Sequence, residues 1–593
     1  MQKSQTQDMR WDLESIFPSL NSTQYEDTLK EVKTHIDSLR QTLEDIEKID
    51  SQEEQVQVLD KIIETYNTLG DNYHKLYSYV YCNVTADSLN IEAQKKLSEL
   101  DRYGAQIQQI NSRITAWIGK LNLEEVIQHS EIAKNHEFYL RESQIRAKHL
   151  MHPEQEDLYS DLALTGSTAW EKLYSNLTSQ ITATVSLPEG EKELPISAVR
   201  NLALHSDRKV RENAYKAEIS AWERWALPIA SALNSIKGES ITISQRRGWS
   251  SPLEQALFRN RIDFETLNAM MEAAQESFPS FREYLQTKAS IIGVDKLAWY
   301  DIFAPVGRSS RSWTPQDAKE FIVEQFHKFS QKLGEFAQRA FDSRWIDLEP
   351  RVGKVGGAYC ISIQGEESRI LANYESSFDS VSTLAHELGH AYHNLNKSHR
   401  TYLQKSTPMT LAETASTFCE TIIQKAALEN SDKEEQILIL EGALQNSCQI
   451  VVDITSRFIF EKEVIDRRKD TELSIEDLKT IMTEAQKATY GDALDSNKLH
   501  PYMWAAKPHY YGSDFYNFPY MFGLLFGLGL YAAYEESPEK FKAKYDELLS
   551  STGMFSAADL ALKFGINIRD KSFWRSSLEV IKQDIARFND LVT

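Results

Sequence analysis

The chain has 593 residues, of which 26% are charged, and its formal net charge is −21 at pH 7. This length can bury a large core or about two to four domain-sized units. Such an acidic composition argues against sequence-independent binding of nucleic acid, because that kind of binding needs a basic face. The cysteines form no C-x-x-C pair and predict no disulfide framework; they are Cys82, Cys360, Cys419 and Cys448.

Neither a signal peptide nor a membrane span is expected from the sequence. The first residues, MQKSQTQDMRWDLESIF, contain no apolar core of a signal peptide. The longest apolar run, Met521–Tyr534, is rich in glycine and too short to cross a bilayer, so we expect a buried core helix there. With cysteine usage that suits a reducing compartment, these features predict a cytoplasmic protein without a membrane partner, as a monomer or weak homo-oligomer.

Residues 1 to about 160 are predicted to form helices with few breaks. Between Tyr25 and Ile49, apolar residues recur at spacings of three and four, which is typical of an amphipathic helix; they are Leu29, Val32, Ile36, Leu39, Leu43 and Ile46. Similar stripes cover about 52–85 and 89–120. No cluster of ligand-type residues occurs here, so we expect an architectural role as a wall or lid.

The pattern changes near residues 181–196, where two short alternating runs flank Pro188-Glu189-Gly190 and predict a β-hairpin. Helices resume at about 197–245, and later helix starts are predicted at Ser251-Pro252, Asp263-Phe264 and Thr314-Pro315. The break between Gly293 and Gly307 contains a strand-like segment, LAWYDIFAP.

Residues 345–375 form the one clear β region before the metal-binding motif described next. Gly353, Gly356 and Gly357 precede the strand-like AYCISI, and RILANY follows after QGEES. We predict a hairpin that leads directly into the next helix. Such a hairpin could stabilise the fold or bind an extended peptide along its edge.

The most informative motif is His386-Glu387-Leu388-Gly389-His390, an H-E-x-x-H pattern in helix-compatible sequence. Positions four apart on an α-helix differ by about 40° around the axis, so both imidazoles lie on one face and can bind one Zn²⁺. Glu387 lies within reach of a water on that ion. Ser377 or Asp379 is expected to cap this helix.

A zinc enzyme needs a third protein ligand and one open coordination position. Glu413 is the candidate, since 22 residues separate it from His390 and leave room for a second helix alongside the first. Glu420, seven residues further on, lies on the same helix face as Glu413. It is either an acceptor that orients a ligand histidine or a solvated carboxylate. His393 is interpreted as a packed or orienting histidine.

A segment unusually rich in tyrosine, HYYGSDFYNFPY at residues 509–520, is called the donor loop below. Taken alone it predicts an aromatic surface loop. Beside a zinc site, its tyrosine and histidine side chains could donate hydrogen bonds to a developing oxyanion.

Together, HELGHAYH, its spacing to ETASTFCE, the GKVGGAYC strand and the donor loop resemble oligoendopeptidase F, of the thimet-oligopeptidase-like zinc metallopeptidases. RWDLESIFPS and WYDIFAP are also similar to that family, so the resemblance covers nearly the whole chain. It implies a mainly α fold whose two halves enclose a deep channel, with a small β-sheet beside the zinc helix. We expect an N-terminal helical region at 1–190 and a catalytic domain at 191–593.

The resemblance also implies roles for individual residues. His386, His390 and Glu413 would bind one Zn²⁺, and Glu387 would be the general base. His509 and Tyr520 would stabilise the transition state, with Tyr516 as a third candidate, although the donor loop looks one residue longer than the family pattern. The implied activity is zinc-dependent endopeptidase hydrolysis of internal bonds in short peptides.

Two rival functions stay open at this stage. A carboxypeptidase or dipeptidyl carboxypeptidase on the same scaffold would need a cation for the free C-terminus, which sequence cannot position. A helical peptide-binding protein with a degenerate zinc site is the second rival, although every expected catalytic residue is present. An aminopeptidase of the gluzincin type is disfavoured because its G-x-M-E-N motif is absent.

Overall fold

The computed structural model describes residues 9–44, 46–49, 51–307 and 311–592, without the side chain of residue 47. These residues are mostly α-helical, with two small sheets, which confirms the predicted mainly α class. The chain forms two compact units, each built from three segments. Their boundaries do not fall at residue 190, and the division into a lid at 1–190 and a catalytic domain at 191–593 stays a prediction.

The first unit consists of Met1–Leu150, Arg311–Ala426 and Ala533–Phe564. Its α-helices are Thr23–Glu44, Gln52–Ala86, Ile91–Ile118, Leu123–His129, Glu131–Asn135, Glu137–Lys148, Pro315–Phe329, Gln331–Asp342, Phe378–Asn396, Met409–Ala412, Pro538–Ser550 and Ala557–Lys563. Short 3₁₀ turns lie at Ile46–Lys48 and Tyr402–Lys405. Thr414–Asn430 begins in this unit and ends in the second.

The second unit consists of Met151–Ser310, Ala427–Ala532 and Gly565–Thr593. Its α-helices are Pro153–Ala163, Ser167–Gln180, Ile196–Asn201, Arg208–Arg246, Pro252–Arg259, Phe264–Ile291, Lys433–Cys448, Ile454–Arg468, Ile475–Tyr490, Met503–Ala506, His509–Gly512 and Lys571–Val592. Phe518–Glu536 begins in this unit and ends in the first. Leu202–Leu204, Trp299–Asp301 and Gly491–Ala493 are 3₁₀ turns, and Gln449–Asp453 is a π-helical turn.

The amphipathic stripe predicted between Tyr25 and Ile49 is buried as expected. Its side chains are at most 5% exposed and pack into the core of the first unit; they are Tyr25, Leu29, Val32, Ile36, Leu39, Leu43 and Ile46. Burying each such apolar side chain contributes about 1.5–3 kcal/mol before entropy is counted. Three predicted helix starts are also found, with N-caps at Ser251, Asp263 and Thr314.

Both predicted hairpins are present. In the second unit, β1 (Thr182–Leu187) pairs antiparallel with β2 (Gly190–Pro195). In the first, β4 (Tyr359–Ser362) pairs antiparallel with β5 (Ser368–Leu371), and β3 (Ile346–Asp347) pairs parallel with the other edge of β5. The strand order β3-β5-β4 leaves β4 at an edge of this sheet.

The strand expected within LAWYDIFAP is not found. Leu297 makes only an isolated bridge to Leu494, and Trp299–Asp301 is a 3₁₀ turn. Asp301 is the physical reason, because its fully buried carboxylate accepts from the backbone N–H of Ala298 and pairs with Arg208 and Arg211. These bonds favour a turn over an extended backbone.

The helix Phe378–Asn396, called the ligand helix below, begins at Ser377, whose side chain accepts from the backbone N–H of Ser380 at 3.3 Å. One of its sides faces the β4–β5 hairpin, where Asn394 Nδ2 donates to Ser368 Oγ at 3.3 Å. Its other neighbour is the helix Thr414–Asn430, called the carboxylate helix.

Gly389 allows these two helices to approach closely. A Cβ atom at Gly389 would lie 2.6 Å from the carbonyl oxygen of Ala415 and 2.6 Å from the Cα of Ser416. Both contacts are with backbone, which cannot rotate away as a side chain could. The glycine between the two motif histidines therefore sets the distance to the neighbouring helix.

The apolar run Met521–Tyr534 lies within the largely buried helix Phe518–Glu536, which confirms the predicted core helix. Among the described residues, one helical stretch is long and apolar enough to cross a membrane by length and composition, Lys433–Arg468. Of its most apolar window, 56% is buried inside the protein. Because core helices of soluble proteins share these properties, this stretch is weak support for a membrane span.

We expect Gly389→Ala to destabilise the protein by about 1–3 kcal/mol, because the added methyl group has only backbone to displace. The matched control is Gly442→Ala, in the exposed part of Lys433–Cys448, where an added Cβ would meet nothing within 4 Å. This control should be neutral or stabilise by up to about 1 kcal/mol, the usual gain of alanine over glycine in a helix. Urea unfolding of both variants checks the prediction, which equal stabilities would contradict.

Candidate metal centre

Three side chains of the first unit converge on one point. Glu413 Oε2 lies 3.2 Å from His386 Nε2 and 3.2 Å from His390 Nε2. One ligand atom from each residue lies within 4.8 Å of the others. Among the described residues, this is the one group of three His, Cys, Asp or Glu side chains with such spacing. The three side chains are about a quarter exposed, so a ligand can reach them.

The donor set fits a small divalent cation such as zinc. Ligand atoms at bonds of 2.0–2.1 Å on a tetrahedral ion lie about 3.3 Å from one another, close to the observed separations of 3.2 Å. Two nitrogens and one carboxylate oxygen also leave a fourth tetrahedral position for water or substrate. Although burial alone would raise the pKa of Glu413, its contacts with His386 and His390 hold that pKa well below the usual range.

Two elements position these ligands. His386 and His390 are one turn apart on the ligand helix, with ring centroids 4.9 Å apart. Glu413 lies at the junction between Met409–Ala412 and the carboxylate helix rather than inside the latter. Ser416 Oγ donates to Glu413 Oε2 at 2.6 Å and holds the carboxylate in place.

Glu420 contacts His386 at Nδ1, the ring nitrogen that does not face Glu413. His386 Nδ1 donates to Glu420 Oε2 at 3.0 Å, while Ser382 and Gln424 donate to Glu420 Oε1 at 3.1 and 3.3 Å. With its one hydrogen on Nδ1, a neutral His386 would have the lone pair of Nε2 free for a metal ion beside Glu413. Of the two interpretations open for Glu420, the geometry agrees with an acceptor that orients the histidine.

Glu387 lies beside the two histidines and is only 6% exposed. Its Oε2 has no hydrogen-bond partner among the described residues. Burial raises the pKa of this carboxyl, against the opposing effect of His390 and His386. A buried carboxylate without a partner costs free energy, which is typical of a group kept for chemistry rather than for stability.

Two other residues near the motif are packing groups. His393 is 3% exposed, and its Nε2 lies 2.8 Å from Thr552 Oγ1, as expected for a packed histidine. Burial lowers its pKa well below the ordinary value. Cys419 is fully buried and is not among the grouped ligands.

The donor-loop residues lie together in the second unit. Tyr520 donates its hydroxyl hydrogen to the Tyr516 hydroxyl at 3.3 Å. The ring of His509 lies 4.9 Å from that of Tyr516 and 6.5 Å from that of Tyr520, measured between centroids. The structure therefore brings the three predicted donors into one aromatic cluster, and the three predicted ligands into another cluster in the first unit.

The donor loop is anchored by a buried ion cluster that sequence reasoning missed. Lys237 Nζ lies 2.7 Å from Asp514 and 2.7 Å from Glu461, and Ser240 donates to Asp514. The next residue, Phe515, is buried at φ 51°, a backbone conformation that costs a non-glycine residue about 1–3 kcal/mol. The cluster offsets this strain and holds the loop in one conformation.

A second anchor was also missed. His509 Nδ1 lies 2.9 Å from Asn517 Oδ1, and Arg457 Nη1 donates to the same oxygen at 3.2 Å. Arg457 pairs in turn with Asp453. No sequence spacing predicts these contacts, because Arg457 and Asn517 are 60 residues apart; the one available signal was the density of polar aromatic residues in the loop itself.

The model of peptidase family M3 matches residues 201–580, and the model described as oligopeptidase F matches residues 118–182. An oligoendopeptidase F homolog from Lactococcus lactis subsp. lactis is 23% identical over 606 residues, which cover 99% of this chain and 98% of the relative. Oligopeptidase PepF from Bacillus subtilis is 21% identical, with 98% of this chain and 87% of the relative covered.

Solved structures show the same fold. Oligoendopeptidase-F from Enterococcus faecium superimposes with a TM-score of 0.70 at 18% identity, covering 95% of this chain and 99% of the other. A protein from Chlamydophila abortus of known crystal structure gives a TM-score of 0.84 at 20% identity, with 98% of each chain covered. Because the family model matches well over half of its length, this chain belongs to peptidase family M3.

Proposed function

We propose that this peptidase is a zinc-dependent endopeptidase that hydrolyses internal bonds of short oligopeptides. The observation that carries the proposal is the convergence of His386, His390 and Glu413 within 4.8 Å, with Glu387 beside them, whose Oε2 has no hydrogen-bond partner among the described residues. A zinc ion held by these three residues supplies Lewis acidity toward a peptide carbonyl and a water molecule.

Glu387 is the general base of the proposed reaction. Its Oε2 has no competing hydrogen bond, so it can accept a proton from the attacking water and pass it to the leaving amine.

The side chains of the donor loop are proposed to act on the substrate. Tyr520 and Tyr516 carry hydroxyl groups that can donate to an oxyanion, and His509 is the third candidate. Their mutual contacts and the buried anchors of the loop support a preorganised cluster. Preorganised donors stabilise charge in a transition state without a cost of reorganisation.

The exposed edge of strand β4 is a second observation in favour of a peptide as the substrate. It pairs with β5 on one side, and its residues Tyr359–Ser362 are partly exposed. An extended peptide could therefore add to this edge through backbone hydrogen bonds, a mode that tolerates varied side chains. The cytoplasmic location and the monomeric or weakly oligomeric state stay predictions from the sequence.

The first test is Glu387→Gln, measured with a quenched short peptide blocked at both ends. We expect zinc near one equivalent and a loss of activity of about 100- to 10,000-fold, the usual contribution of a general base. The control His390→Ala should lose both zinc and activity. Cleavage of free but not blocked peptides by the wild type would favour the carboxypeptidase alternative, and zinc-free wild type would refute the metal site.

A second test separates the two tyrosines. Tyr520→Phe should lower kcat by about 100- to 1,000-fold if its hydroxyl donates to the oxyanion, with zinc content unchanged. Tyr516→Phe is the matched variant, since it removes the hydroxyl that accepts from Tyr520. Comparison of kcat and KM for both variants identifies the donor, and unchanged kcat in both would exclude an oxyanion role for this pair.

The third test concerns Glu420. Replacing it by glutamine keeps the shape but removes the charge that orients His386, so zinc affinity should fall about 10- to 100-fold. Competition with a chelator of known affinity measures this change. Glu375→Gln is a control, because Glu375 lies just before the ligand helix and contacts none of the three ligands; equal zinc affinities for both variants would contradict the orienting role.

A further inference from the structure

His509 is bonded at only one end of its ring. Its Nδ1 lies 2.9 Å from Asn517 Oδ1, whereas no described residue makes a hydrogen bond to Nε2. The ring is half-buried and lies against that of Tyr516, with the two ring planes tilted by 34°. Nε2 is therefore the end that remains available to a ligand.

Arg457 determines which atom of Asn517 faces the histidine. A guanidinium only donates hydrogen bonds, so the amide atom 3.2 Å from Arg457 Nη1 must be the oxygen, whichever way the amide is drawn. The same oxygen contacts His509 Nδ1. Asn517, Arg457 and Asp453 are 2, 6 and 7% exposed, so this row of side chains has little freedom to rearrange.

The protonation of His509 follows from that oxygen. An amide oxygen accepts but cannot donate, so Nδ1 of His509 carries the hydrogen. A neutral imidazole has a single N–H, which leaves an unprotonated lone pair at Nε2. Burial lowers the pKa of His509, and the cations Arg457 and Lys507 lower it further, against the raising effect of Asn517. The aromatic rings of Tyr516 and Tyr520 also lie beside the imidazole.

We propose that Asn517, held by Arg457 and Asp453, is a positioning residue that fixes His509 as its Nδ1–H tautomer, so that Nε2 accepts a hydrogen bond from a backbone N–H of the peptide substrate. The proposal rests on the proposed peptidase function and narrows it. Oxyanion donation then belongs to Tyr516 and Tyr520 rather than to His509.

His386 and His509 are both bonded at Nδ1, but their partners differ in charge. His386 Nδ1 faces the carboxylate of Glu420, which increases the basicity of Nε2 and suits a metal ligand. His509 Nδ1 faces the neutral amide of Asn517, which also accepts a hydrogen bond from the guanidinium of Arg457. The positive charge of Arg457 disfavours a second proton on the imidazole ring. Asp453 closes a π-helical turn, a feature frequent at functional sites.

The first experiment reads the tautomer without activity. In wild-type protein labelled with ¹⁵N-histidine at pH 7, His509 should show a protonated Nδ1 and an unprotonated Nε2, with His509→Gln used to assign the signals. An imidazolium or an Nε2–H tautomer would overturn the proposal. Because this readout needs no substrate, it stands even if the peptidase proposal fails.

The second experiment uses Asn517→Asp, which keeps the shape and the contact with Arg457 but adds a negative charge. In the wild type, the neutral ring is the active form, so kcat/KM should fall as pH drops through the His509 pKa, which lies below its ordinary value. The aspartate stabilises the imidazolium and raises this pKa, so the acid limb should move to higher pH by on the order of one unit. Zinc content should be unchanged.

A peptide with an ester in place of one backbone amide next to the cut bond tests the acceptor role. At the position that His509 contacts, the ester should lower kcat/KM of the wild type about tenfold and leave His509→Phe unaffected, since the variant has no acceptor to lose. Equal losses in both proteins at every position tested would overturn the proposal. So would an acid limb that Asn517→Asp does not move, or activity that rises as the ring is protonated.

Discussion

The candidate metal centre depends on how closely two helices approach each other. Gly389 lets the ligand helix lie against the backbone of Ala415 and Ser416. At that distance Glu413 reaches both histidines and Glu420 reaches the far side of His386. A larger residue at position 389 would separate the ligands, even though it touches none of them. The central glycine of the motif is thus as much a part of the site as the histidines.

Much of this arrangement could be predicted from local sequence. The spacing of His386 and His390 places both rings on one face because helical geometry alone determines it, and the stripes and hairpins followed from their periodicity. The prediction of a strand in LAWYDIFAP was wrong because the buried carboxylate of Asp301 forms a turn with the nearby backbone of Ala298. The same carboxylate pairs with Arg208 and Arg211, which lie far away in sequence. Local patterns contain no information about such partners.

The contacts that anchor the donor loop could not be predicted from the sequence, for the same reason. Lys237 is almost 280 residues from Asp514, and a lysine within an amphipathic helix looks like a surface residue until its partners are known. The left-handed backbone of Phe515 was also unpredictable, because aromatic residues rarely adopt it. Long-range electrostatics and backbone strain, rather than residue type, distinguish this loop from an ordinary aromatic one.

Three carboxylates, those of Glu387, Glu413 and Glu420, lie around the two motif histidines in the first unit. A bound divalent cation would offset their mutual repulsion more strongly than the histidines do, so occupancy of the site and folding of this unit are thermodynamically linked. In metal-depleted protein, this unit should consequently have a lower local stability against unfolding than the rest of the chain. A cell short of the metal would then hold a pool of this chain that proteases remove first, and the abundance of the enzyme would follow the supply of its ion.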